Sequence, residues 1–93
     1  MYLEIVTPEA TLFTGEVESV SVPGVNGEFE MLRNHAPIVS ILKQGYVKIF
    51  GDDVQFDEEV ADKFIKGEKR GRWLPINSGT IELKDNKVIV LAD

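Results

Sequence analysis

Short segments in which apolar and polar residues alternate make up most of the chain. Residues 2–7, 16–22, 45–50 and 80–84 carry apolar side chains at every second position, which is the spacing of a strand with one buried face. Residues 87–91 are almost continuously apolar and predict a strand in the middle of a sheet. Pro, Gly and Asn residues separate such segments at intervals of about 8–12 residues. The pattern predicts an all-β fold, a β-sandwich or flattened barrel of about nine to ten short strands.

The segment 25–42 combines strands with a polar, turn-rich loop. Asn26 and Gly27 predict a turn, because Gly accepts a positive φ without steric cost and Asn tolerates it. A short strand follows over 27–32, and Pro37, which lacks an amide donor, ends the polar loop before the next apolar run. Loops held between buried strands are frequent sites of partner contact, so we expect such a contact here.

The predicted strand 27–32 has two chemically distinct faces. Phe29 and Met31 lie two residues apart and belong to an apolar face, whereas Glu28 and Glu30 point the other way. Two carboxylates on one strand face are typical of a solvated edge, and we prefer that interpretation to a carboxylate pair acting as acid and base.

The segment 51–72 interrupts the alternation. It contains seven acidic and five basic residues, with most acids preceding most bases. We prefer a short helix over 57–66, because an aspartate would cap its amino end and the charge order would complement the helix dipole. The alternative is a hairpin with arms at 62–66 and 72–76, joined by a turn at 67–71.

The composition is typical of one domain, residues 1–93, that binds neither nucleic acid nor the membrane interior. The chain has 93 residues, is 43% hydrophobic and contains no cysteine, so it has enough apolar residues for one core and cannot form disulfides. Its formal net charge is −6, which opposes binding to phosphate backbones. The longest apolar run is about six residues against roughly 20 for a spanning helix, so we expect no direct membrane insertion.

The sequence contains no convincing set of catalytic, cofactor-binding or metal-binding residues. His35 is the only histidine, so a two-histidine metal site is impossible, and a turn histidine bonded to nearby backbone is the preferred interpretation. The acidic residues within 52–59 lack the spacing of an EF-hand and predict a solvated loop. Gly24 and Gly27 are not followed by the Gly-Lys-Ser/Thr of a phosphate-binding loop. We therefore expect no catalytic residue, no cofactor and no metal.

Several motifs occur in an order that resembles one protein family. Glu-Val-Glu-Ser-Val-Ser-Val-Pro-Gly occupies 16–24 and leads to Gly-Glu-Phe at 27–29, and Asn-His-Ala-Pro-Ile-Val follows at 34–39. Ser-Gly-Thr-Ile-Glu-Leu at 78–83 and Asn-Lys-Val-Ile-Val-Leu-Ala-Asp at 86–93 complete the set. Together these motifs resemble the epsilon subunit of the rotary F-type ATP synthase.

The resemblance implies a ten-stranded β-sandwich with a mechanical role. In this family the domain belongs to the central stalk, binds the gamma subunit and is seated on the polar loops of the c-ring. It turns with the rotor and couples proton or sodium flow to ATP synthesis without performing chemistry. The resemblance therefore implies a non-catalytic subunit of a hetero-oligomeric complex, peripheral to the cytoplasmic face of a bacterial inner (plasma) membrane.

The resemblance also implies which residues make these contacts. The candidate c-ring interface consists of Gly27, Glu28, Phe29, Glu30, Met31 and Leu32. The candidate junction between gamma and the ring consists of Asn34, His35, Ala36 and Pro37. Glu28 is the first choice, because the c-ring loops of the family carry an arginine with which a hydrated carboxylate can pair.

Two features depart from the family. Residues 51–72 form an inserted charged segment that is longer than the family's usual connection. The family usually continues beyond Leu-Ala-Asp with a two-helix hairpin, which binds ATP in some members and can inhibit hydrolysis. The sequence stops at Asp93, so we expect neither ATP binding nor inhibition from these residues.

Two other classes of protein are alternatives. A free-standing β-sandwich that binds a small ligand or sugar would need exposed aromatic side chains on one sheet face, and Tyr46, Phe50 and Trp73 are the candidates. A small hydrolase built on His35 would need an acidic partner that the sequence does not identify.

Overall fold

Ten β-strands account for most of the residues that the computed structural model describes, which are residues 1–52, 54–67 and 71–93. This confirms the predicted all-β class. The strands are β1 Tyr2–Val6, β2 Thr11–Glu16, β3 Ser19–Gly24, β4 Gly27–Leu32, β5 Ile38–Leu42, β6 Gly45–Phe50, β7 Ile65–Lys66, β8 Arg72–Ile76, β9 Gly79–Lys84 and β10 Lys87–Ala92.

The strands form one curled sheet in the order β2-β1-β10-β9-β5-β3-β6-β8-β7, and β4 pairs with the other edge of β3. The two five-stranded halves are joined through one residue pair between β3 and β5, Gly24 and Leu42. Because the sheet curls, apolar side chains from both halves meet in one core, which is the arrangement of a β-sandwich.

The strand β10 lies in the middle of the first half, as its continuous apolar sequence predicts. It pairs in parallel with β1 and antiparallel with β9, and Val88 and Val90 are fully buried. The hairpin that connects β9 to β10 turns at Asp85 and Asn86, whose φ angles are 51° and 64°. Asp and Asn tolerate this left-handed conformation, so the turn is formed by suitable residues.

The predicted helix over 57–66 is wrong. Ala61–Lys63 form a single 3₁₀ turn, and the following residues Ile65–Lys66 are β7, which pairs with β8. The amide of Gly67 donates to the carbonyl of Gly71 at 2.9 Å, so the alternative hairpin describes this part of the chain better. Residues 53 and 68–70 of the charged segment lie outside the described residues.

The helix does not form because only weak interactions between residues close in sequence would stabilise it. Charge pairs four residues apart contribute about 0.2–0.5 kcal/mol each. Phe64 adopts an extended conformation between the 3₁₀ turn and β7, where it is 8% exposed and its ring centroid lies 4.4 Å from that of Phe56. Phe56 in turn lies 5.2 Å from Phe13 of β2, so an aromatic row ties the charged segment to the core.

Replacing Phe64 by Ala should therefore destabilise the domain. We expect a loss of about 2 kcal/mol or more in the free energy of unfolding, because the buried ring leaves a cavity beside Phe56. Urea denaturation followed by circular dichroism measures this loss. Ile65→Ala is the control, since Ile65 is 47% exposed and should cost less than about 1 kcal/mol. Equal, small effects would mean that Phe64 adds nothing to the core.

Candidate partner-binding surface

The edge strand β4 holds the six residues of the predicted c-ring interface. It pairs with β3 from Ser19–Leu32 to Gly24–Gly27, and no other described strand covers its second edge. Gly27 has a φ of 126°, which requires glycine and turns the chain sharply before the strand. The backbone of β4 therefore offers unpaired hydrogen-bonding groups to a partner.

The two faces of β4 differ as the alternation predicts. Glu28, Glu30 and Leu32 are exposed, and Leu32 retains 57% of its exposure. Phe29 is half-buried and packs against the core, and Met31 is fully buried. The side chain of Met31 therefore lies beneath this surface, and the contact itself stays a prediction for the exposed residues.

Glu28 is held in an ion pair within the domain. Its Oε1 lies 3.0 Å from Nζ of Lys48, which projects from the outer face of β6. The same ammonium group lies 4.4 Å from the centroid of the Trp73 ring on β8. The predicted contact residue is therefore part of a series of carboxylate–ammonium–indole contacts that spans four adjacent strands, β4, β3, β6 and β8, with β3 lying between the carboxylate and the lysine.

The turn after β4 brings the predicted gamma/ring junction next to the c-ring candidates. Asn34, His35, Ala36 and Pro37 are all exposed. The amide of His35 donates to the carbonyl of Leu32 at 3.1 Å, and its Nδ1–H donates to the Ala36 carbonyl at 2.7 Å. His35 is therefore a turn histidine bonded to nearby backbone, as expected.

A contact distant in sequence fixes this turn. The amide of Asn34, whose φ is 64°, donates to Oδ1 of Asn86 at 3.0 Å. Asn86 belongs to the β9–β10 turn, so two left-handed turns support each other. Asn86 belongs to the motif at 86–93, but its contact with Asn34 leaves no local signal in the sequence, because the two residues are 52 positions apart.

An apolar patch lies on the outer face of the other half of the sheet. Val39 and Ile41 of β5 are 76% and 64% exposed, and Leu91 of β10 is 52% exposed. Ile41 and Leu91 both pair with Thr80 of β9, so they flank one residue on the same face. A pocket of about 520 Å³ opens beside them. The sequence did not reveal this patch, because the run 38–42 is apolar at nearly every position.

The aromatic side chains proposed for sugar binding do share one sheet face, yet the central one is covered. The Tyr46 and Trp73 rings lie 5.6 Å apart with an interplanar angle of 48°. Lys48 occupies a face of the Trp73 ring, where a sugar would stack. The geometry does not favour the ligand-binding alternative.

Neither a metal-binding cluster nor a membrane-spanning helix occurs in the described part of the chain. Within residues 1–52, 54–67 and 71–93, no group of three or more His, Cys, Asp or Glu side chains is arranged to hold a metal ion. In the same ranges, no helix has the length and apolar character needed to cross a membrane.

Comparisons with known proteins define first the domain and then the family. Residues 1–63 match the family model described as "ATP synthase, Delta/Epsilon chain, beta-sandwich domain". A solved structure, the central stalk/c-ring of the mitochondrial ATP synthase of Tetrahymena thermophila, shares the fold with a TM-score of 0.69. That likeness has 13% identity and covers 98% of this chain and 61% of that chain.

Two proteins similar in sequence are both ATP synthase epsilon chains. The chain is 37% identical over 93 residues to the ATP synthase epsilon chain of Campylobacter concisus, and 35% identical over 91 residues to that of Chlorobaculum tepidum. It spans 60% of the length of the first relative and 86% of the second. The chain belongs to the ATP synthase delta/epsilon chain family.

Replacing Asn86 by Gly should loosen the turn that holds His35. Glycine accepts the positive φ of this position, so the change removes the side-chain acceptor without adding backbone strain. One hydrogen bond contributes about 0.5–1.5 kcal/mol, so exchange of the Asn34 amide with solvent should accelerate several-fold. Hydrogen exchange measured by NMR checks this.

Asp85→Gly is the matched control for the Asn86 variant. Asp85 also has a positive φ, but its side chain does not bond to Asn34. If both variants change Asn34 exchange equally, the effect comes from the hairpin and not from the Asn86 side chain.

Proposed function

We propose that this chain is an epsilon-type subunit of the central stalk, and that it links gamma to the c-ring of a rotary ATP synthase. It performs no catalysis; it transmits rotation and so couples ion flow to ATP synthesis. The family membership supports the class of complex. The bacterial relatives support a peripheral position on the cytoplasmic face of the inner (plasma) membrane.

The proposed contact with the c-ring is supported mainly by the position of Glu28. It follows the Gly27 turn at the start of an edge strand, and its side chain is 51% exposed. About half of the side chain therefore stays accessible to water and to a cationic partner, although its Oε1 is already paired with Lys48. An exposed ion pair contributes only about 0–1 kcal/mol, so this contact sets the orientation of the partner more than it sets affinity.

The apolar patch of β5 and β10 supports a second, larger contact. Val39, Ile41 and Leu91 expose much of their side chains, and burying them would contribute through the hydrophobic effect. We assign this patch to gamma, and the turn 34–37 to the junction between gamma and the ring. The two contacts then lie on different halves of the sheet, as a linker between two partners requires.

Charge reversal at Glu28 should impair assembly. We expect Glu28→Arg to reduce the fraction of epsilon-containing synthase and its proton-driven ATP synthesis, because an arginine would repel the ring's cation. Glu28→Gln should reduce both only slightly, since an exposed pair contributes about 0–1 kcal/mol. Reconstituted synthase in vesicles provides the measurement.

Two controls make the Glu28 result specific. Glu59→Arg reverses the charge of an exposed carboxylate in the turn before the 3₁₀ segment, away from β4, and should leave coupling unchanged. Thermal unfolding of the isolated Glu28→Arg chain shows whether the loss of the Lys48 pair lowers its stability. A stable Glu28→Arg chain that assembles and couples like the parent would place the ring contact elsewhere.

The isolated chain should not bind ATP tightly. It lacks a phosphate-binding loop after Gly24 and Gly27, and these glycines end and begin two paired strands. Calorimetry with Mg-ATP should therefore give no heat at micromolar concentrations, with pyrophosphate as a control for anion binding. Micromolar affinity for ATP alone would contradict this expectation.

A further inference from the structure

Lys48 reaches the Glu28 carboxylate across an intervening strand. In register, Lys48 of β6 lies opposite Ser21 of β3, and Ser21 lies opposite Glu30 of β4. The ammonium group nevertheless pairs with Glu28, which lies opposite Pro23, two residues along the strand from Glu30. Ser21, the β3 residue between Lys48 and Glu30, has a short side chain that is only 6% exposed.

Glu30 shows that the pairing is selective. It has the same charge as Glu28, lies on the same face two residues away, and is exposed. Within the described part of the chain, Glu30 has no ion-pair partner, although it lies in the same row as Lys48. Glu30 is therefore a matched reference for every measurement on Glu28.

Trp73 holds the ammonium group from the other side. Nζ of Lys48 lies 4.4 Å from the indole centroid, within the range of a cation–π interaction. Tyr46 packs against the same indole, and a Cβ built at Gly67 would overlap it, so the ring is confined. The lysine side chain is only 21% exposed in this position.

We propose that Lys48 is an internal counter-ion that occupies Glu28 until a partner arrives, and that a partner's guanidinium binds Glu28 by taking the place of Lys48. The inference rests on the proposed function of the β4 edge. A guanidinium pairs best with both carboxylate oxygens, and Lys48 already holds Oε1 at 3.0 Å. The released ammonium keeps its interaction with Trp73 and is not left without a partner.

The direction in which partner affinity changes when Lys48 is removed distinguishes internal competition from a purely structural role. If Lys48 only stabilised the surface, its removal would weaken partner binding. If it competes for Glu28, its removal strengthens binding, because the incoming cation no longer displaces another one. Exchange also replaces one ion pair with another, so salt should weaken binding less in the parent chain than in a variant without Lys48.

The probe is N-acetyl-arginine methylamide, titrated into the 93-residue chain and followed by NMR. Signals of the Glu28 amide and of the Trp73 indole, the single tryptophan, should shift together. Lys48→Met, which keeps an apolar stem on the indole, should tighten binding about two- to fivefold and increase its salt dependence. Lys48→Arg should weaken it, and Glu28→Gln should abolish the Glu28 response.

Variants of Glu30 and Lys48 provide the controls for the probe titration. Glu30→Gln should leave the affinity at Glu28 within about a factor of two. Lys48→Gln replaces Lys48→Met if the latter unfolds. Internal competition is wrong if removing the lysine charge weakens probe binding or leaves it unchanged.

Reconstituted synthase separates this inference from the proposed function. If the probe behaves as expected, and Lys48→Met also strengthens retention of the subunit on the synthase, both are supported. A different outcome is that the probe behaves as expected while neither Lys48→Met nor Glu28→Arg alters assembly of the synthase. That result would support ion exchange at Glu28 and contradict the proposed contact of Glu28 with the ring.

Discussion

The arrangement of the sheet depends on how closely other strands can approach β3. This strand pairs with β4 on one edge and with β6 and β5 on the other, and all six of its residues are buried. Ser19 and Ser21 have short side chains, so the longer side chains of β4 and β6 close over them. A Cβ at Gly24 would lie 2.8 Å from the Phe29 ring, so a larger residue there would displace β4. Small residues in β3 therefore position both the edge strand and the lysine that crosses to it.

Much of the fold was predictable because its signals are local. Alternation over 45–50 and the apolar run 38–42 match β6 and β5 residue for residue, and the turn at Asp85 and Asn86 uses residues suited to a positive φ. The segment 57–66 failed for the opposite reason. Its local charge order favours a helix, whereas in the structure Phe64 packs on Phe56 and Ile65–Lys66 pair with β8. The hairpin alternative included that pairing, but no local pattern indicates the contact between the two aromatic rings.

The candidate surface also combines features that the local sequence pattern predicts with features that depend on the order of the strands. Exposure of Glu28 and Glu30 followed from the period of a strand, and burial of Met31 followed from the opposite face. The pairing of Glu28 with Lys48 depends on which strands are neighbours, and the sequence does not state the sheet order. The apolar patch escaped detection because Ile38 and Leu42 face inward while Val39 and Ile41 face outward, and all four are apolar.

The parallel pairing of β1 with β10 has a consequence for how the molecule is made. Tyr2 pairs with Lys87 and Val6 with Leu91, so the first strand obtains one of its two neighbours only when nearly all of the described sequence exists. Contacts between such distant residues slow folding, because a long loop must close before they form. Until β10 has been made, β1 is paired on the β2 side only, and the apolar side chains of Leu3 and Ile5 lack most of the core in which they are buried.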